Sequence, residues 1–349
     1  MTNSAGCIDT DRRITESDSG LAVFIPIAAA LLYPWVLKGF HAAVIGDGLV
    51  GTSARFFEAA VWLAIAFLLP LSCLAFAFAR GPFTLFASAG PKSRRIALVA
   101  VTAPPLFVLV GVSSSLLHSP VPELVTWVAG WLLFGLAVSC SRPAVHSGGA
   151  ITTGKLRVIH GVAAALIALF VAFHLLNHLL GLMGPDAHAR VMHAGRLVYR
   201  SDLVQPVLVG LLLFQVATGL VLARRWVRTD VCPARMIQVG SGIYLAAFIL
   251  THLNSALISA RLVHGIDTDW GWATSAPEGL IMSAWSIRLV PHYALGVFFV
   301  LTHLMCGLRG ILLAHGYSSV RADRIWQGGM LVAAIASVSI VCGLCGLRL

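Results

Sequence analysis

Charge is what this sequence has least of. Only 11% of its 349 residues are charged, against about 25% in an average soluble domain. That excludes a water-soluble globule. Buried carboxylates are also missing: Glu58 is the only one well inside an apolar stretch, and it lies near that stretch's end. A small-molecule transporter usually sets carboxylates or basic residues deep in its spans, so that class is disfavoured. No Lys/Arg-rich arm alternates with aromatics, and the net charge of +10 therefore does not point to nucleic acid. No G-x-G-x-x-G opens a helix after a strand and no cysteines cluster, so the chain brings neither a flavin nor an iron–sulfur site of its own. The first twenty residues are polar and mixed in charge. They lack the early apolar run of a signal peptide and read as a polar cytoplasmic tail. The seven cysteines are scattered, mostly in apolar stretches, and read as small packing residues. Cys342 and Cys345 do form C-x-x-C, but in a terminal apolar helix with no βαβ pattern around it.

What the sequence has is length in apolar runs. Hydrophobic residues make up 58% of it, and the mean hydropathy is +0.88. Nine stretches are long enough to span a bilayer: 21–40, 56–79, 96–117, 123–141, 156–181, 203–224, 237–260, 287–311 and 326–347. A spanning helix needs about 20 such residues. The expected fold is therefore an all-α polytopic membrane protein of about nine transmembrane helices. The "APP" at 103–105 predicts a kink in the third span, and the tight "HSPVPE" break after it predicts a hairpin with the fourth. On alternate sides of the membrane, Lys and Arg divide sixteen to eight in favour of the N-terminal side. The positive-inside rule then puts the N-terminus in the cytoplasm and the C-terminus outside, in the cytoplasmic (inner) membrane.

The segment 142–155 is rich in Gly, Ser and Thr and reads as a linker. It separates an N-terminal four-helix region (21–141) from a second four-helix bundle (156–316) and a last helix (317–349). In the first half, His41 and His118 lie only at span ends, and the second half holds every deep histidine. On a helix, His160, His174 and His178 fall within a 40° stripe, with His174 about 21 Å along the axis from His160. His292 and His303 lie 11 residues apart, 20° past three turns. Depth sorts these residues into two levels. His174, His178, His252 and His292 are outer, and His160 and His303 are inner. Three share the pattern F-x-x-x-H-L, at Phe170–His174, Phe248–His252 and Phe299–His303. Face-matched imidazoles on facing helices, with Gly and Ala beside them, are what bis-histidine b-type haem (heme b) requires. One haem is expected, and two levels allow two. A membrane histidine that only hydrogen-bonds a neighbouring helix is the alternative for each, and His292, beside Pro291 and Tyr293, reads equally as an interfacial anchor. Structural zinc would want four ligands close together, often with thiolates.

The stretches "LRVIHGVAAALIALFVAFHLLNH", "RMIQVGSGIYLAAFILTHL" and "HYALGVFFVLTHLMCGLRG" resemble the transmembrane cytochrome b subunits of succinate dehydrogenase and fumarate reductase, over about residues 155–316. The resemblance implies a four-helix haem bundle exchanging electrons with quinone and a redox partner protein. It offers His174, His252 and His303 as ligands and Arg157, Gln238 and Ser241 at a cytoplasmic quinone site. Gln215 stands where the family has another histidine. The preferred outer pair is His174 with His252, with His178 as the alternative on the same helix. An inner pair would be His303 with His160, off the family pattern. A weaker resemblance is to a mitochondrial membrane family that shares this domain without a known dehydrogenase partner, which keeps a haem-free adapter protein in view. The outer loop 184–202 is expected to form a short interfacial helix, and the tryptophan-rich 265–279 fits an interfacial aromatic belt.

Overall fold

The computed structural model describes residues 20–46, 52–78, 90–141, 154–226 and 232–349. The N-terminal tail up to residue 19 and most of the expected linker lie outside the described residues. The chain is an all-helical membrane protein. Among the described residues, eight helices are long and apolar enough to cross a bilayer, or nine if one bent pair counts as a single span. The words outer and inner below keep the sense set by the sequence.

The first half comprises α1 (Gly20–Ile45), α2 (Thr52–Phe78), α3 (Pro91–Ala100), α4 (Ala103–Leu116) and α5 (Glu123–Cys140). Helices α3 and α4 cover the expected third span and are bent by 60° where they meet. Pro104 and Pro105 cause the break: each lacks an N–H, and each ring would meet the carbonyl four residues back. They are tolerated at the start of α4, where no N–H is needed. A ladder of edge-on rings ties this half together. Tyr33, Phe107, Trp127 and Trp131 succeed one another at centroid spacings of 6.2, 5.1 and 5.6 Å. The Trp127 indole donates to the Ala30 carbonyl, 3.0 Å away, which satisfies the one polar group of a buried ring.

The second half contains α6 (Gly154–Leu180), α7 (Pro185–Tyr199), α8 (Val204–Trp226), α9 (Pro233–Leu253), a four-residue α10 (Trp270–Ala273), α11 (Leu289–Ala314) and α12 (Ser319–Leu344). Helix α6 packs on α8, α8 on α9, α9 on α11, and α11 more lightly on α6. These four form a ring in which α6 and α9 are diagonal. Helix α12 lies along α11. Helix α9 does not stop at Leu253 but continues as a ten-residue π-helix, Asn254–Val263. Such widenings are rare and recur at functional sites. Helix α7 is the short interfacial helix expected at 184–202; it buries His188 and Met192.

The two halves share one core, in which Tyr33, Phe76 and Phe107 cluster with Tyr244, Leu295 and Phe299. At the proline break, Thr251 donates to the Pro105 carbonyl at 3.0 Å. At the outer end, Arg288 forms an ion pair with Glu123, while Gly111 leaves the space that both side chains use.

Candidate functional site

The outer histidines converge. His174 on α6 and His252 on α9 reach across the diagonal of the ring, with centroids 6.1 Å apart and planes at 73°. The F-x-x-x-H pattern explains how they are held. A phenylalanine four residues earlier lies on the same helix face. Phe170 stacks on His174 at 5.5 Å and Phe248 on His252 at 5.8 Å. The third instance differs: Phe299 packs on Tyr244 at 4.8 Å.

Around this pair the rings continue outward. His178 lies 4.7 Å from His174, and His188 of α7 lies 5.4 Å from His178. Trp270 covers His188 at 4.7 Å. The burial of His188 against His178 has no periodic signal in the sequence. His292 is 2% exposed, and Phe248 packs against both His292, at 4.6 Å, and His252, at 5.8 Å.

Eight buried side-chain polar atoms lack a hydrogen bond among the described residues. Seven belong to Asn177, His178, His188, Arg196, Asn254, Ser255 and His292, all toward the outer end. Each such atom costs about 1–3 kcal/mol if nothing meets it. They surround the outer histidines. Above them, a cavity of about 430 Å³ opens over Trp270, bordered by Asp186, Met192, His193, Asp269 and Arg348. Arg196 and Arg200 of α7 clamp its rim by binding Asp267 and Thr268 at 2.8–3.4 Å.

The inner histidines are held differently. The His160 Nδ1 meets Thr218 Oγ1 at 2.7 Å, and His303 Nδ1 meets Ser241 Oγ at 3.0 Å and the Gln238 carbonyl at 3.1 Å. Gln215 is no ligand: its amide donates to the His160 carbonyl at 2.8 Å. Gln238 and Ser241 are thus engaged around His303, with Gln238 Oε1 also accepting from Arg235 at 2.5 Å. Arg157 is exposed on α6. Among the described residues no three His, Cys, Asp or Glu side chains are grouped to hold a metal ion, which leaves pairs. Cys342 and Cys345 are free thiols, and burial pushes the Cys345 thiol up to about 11, away from thiolate chemistry. No family model, curated protein or solved structure matches the chain.

Burial holds the His188 imidazole down at about 4, helped by Arg196 and opposed by Asp269. Asn177 at 3.1 Å, His178 and Trp270 complete its surroundings. Unfolded, the ring binds its proton near 6.5. Its contribution is therefore fully present above that value and lost as pH falls toward 4, because the unfolded chain binds more protons over that interval. The lost stability reaches ~3 kcal/mol at most. Thermal unfolding followed from about pH 7 to about pH 5 should show a steeper fall in midpoint for the parent than for His188→Gln. Equal slopes would remove His188 from the account.

Proposed function

We propose that the protein is a membrane b-type cytochrome, in which His174 and His252 bind a haem at the outer level and the chain passes electrons between quinone and a partner. The observation that carries this reading is the diagonal imidazole pair. Two imidazoles this close, one from each of two diagonal helices, are the residues that would hold a haem iron. The observed spacing is 6.1 Å. The donor set also fits: neutral nitrogen ligands from two facing helices of a bundle are a recurrent haem arrangement. When bound, haem supplies a one-electron ferric/ferrous couple. Phe170 and Phe248 orient the two rings, and α7 with Trp270 keeps outside water from them. His178, one turn from His174, is the alternative ligand on α6. Quinone as the exchange partner, and a cytoplasmic N-terminus in an inner membrane, rest on the resemblance and on the distribution of Lys and Arg.

A dithionite-reduced minus oxidised spectrum of the purified protein is the direct test. A b-type α-band with at least one haem per chain by pyridine haemochrome is the expected result. A protein that stays colourless after expression with added haem would reject the reading and leave a haem-free adapter.

A further inference from the structure

The inner histidines carry a second inference, which rests on the reading of the chain as a haem protein. The hydrogen bonds fix their tautomers. Thr218 has one hydroxyl proton, and the Phe214 carbonyl, 2.6 Å away, takes it. The hydroxyl can therefore only accept from His160, whose Nδ1 must bear the proton. At His303 the same follows from the Gln238 carbonyl, which only accepts. Ser241 donates to that carbonyl as well, at 3.2 Å, and its oxygen is left to accept from the same Nδ1. In both rings Nε2 is then the unprotonated nitrogen, and among the described residues no hydrogen bond engages it. A ring tied at Nδ1–H with Nε2 free is the arrangement that orients a metal-bound imidazole.

Small residues stand beside both rings. A Cβ on Gly219 would lie 3.5 Å from His160 Cε1, and one on Gly242 would lie 3.0 Å from His303 Cε1. Helix α11, which carries His303, packs on α6, which carries His160.

We propose that His160 and His303 bind a second metalloporphyrin at the inner level through Nε2, and that Thr218 and Ser241 are the positioning residues that fix both tautomers. One ligand of this site stands on α6 rather than at Gln215 of α8. Gln215 instead holds the backbone at His160.

The test uses full-length protein reconstituted with hemin. Two haems per chain are expected, with one retained in His252→Ala and one in His160→Ala. Thr218→Val should weaken the inner haem about 10- to 100-fold in hemin titration. It should also shift the low-spin electron paramagnetic resonance signal that survives in His252→Ala, and Thr218→Ser should restore both. Matching size-exclusion profiles check folding. A single haem lost in His252→Ala but kept in His160→Ala overturns the inner site and spares the outer one. A single haem with the reverse pattern spares the inner site. A second haem indifferent to Thr218→Val overturns the positioning role, and a colourless protein overturns both sites.

Discussion

His252→Ala should remove the proposed outer haem. The residue has no substitute on α9, because the next polar side chains, Asn254 and Ser255, lie on the π-helix, and neither is a haem-ligand type. His178 offers no rescue, since it stands on the same side as His174, 4.7 Å from it. The loss of one of two axial ligands exceeds the 10–100-fold cost of losing an outer-shell partner. The expected difference spectrum has about half its α-band when two haems are bound, and none when only the outer one is. His118→Ala is the control: His118 is an exposed residue in the loop after α4 with φ 47°, and its spectrum should match the parent. A full α-band in His252→Ala would dismiss the diagonal pair. In that case His178 and His188, whose rings lie 5.4 Å apart, would be the next pair to substitute.

Arg288→Ala should lower the apparent unfolding midpoint more than any other single change at the seam between the halves. The Arg288 side chain is 10% exposed and that of Glu123 is 23% exposed. The guanidinium also lies over Phe107 at 4.3 Å and Trp285 at 4.9 Å and donates to the Trp285 carbonyl at 2.8 Å. Removing it leaves Glu123 buried without its counter-ion, which costs about 3–5 kcal/mol in a fully buried pair. The partial exposure of Glu123 argues for the lower end, about 3 kcal/mol. Glu123→Ala should cost less, because the cation keeps both rings as partners. Arg288→Lys should not rescue, since an ammonium cannot reproduce the planar fork. Midpoints in the order parent, Glu123→Ala, Arg288→Ala, read by intrinsic fluorescence during heating, are the expected result. Equal midpoints for the parent and Arg288→Ala would show that the shared apolar core alone joins the halves.

Much of this architecture was legible in the residues. The apolar runs marked the spans, "APP" marked the break between α3 and α4, and the N-terminal part of the 184–202 loop gave α7. Helical spacing put His174 and His178 on one face, where the structure finds them in contact, and depth counting separated His160 and His303 from the outer set. Other features left no mark. Thr218 is one hydroxyl among ordinary helix polars, and nothing in its neighbourhood distinguishes it. His188 belongs to a loop helix whose docking is decided by Asn177, Trp270 and the arginine clamp, all distant in sequence. That Phe248 would pack against both His252 and His292 was equally unmarked.

The sequence by itself determined which residues lie in the membrane, at what depth, and on which face of their own helix. Length, hydropathy and the 3.6-residue period suffice for that. Only the tertiary structure decided which helices are diagonal and which imidazoles meet. In lipid the outside of a bundle is as apolar as its inside, so hydropathy does not say which face turns inward. That choice falls to close packing at small residues such as Gly242 and to hydrogen bonds such as those of Thr218 and Ser241.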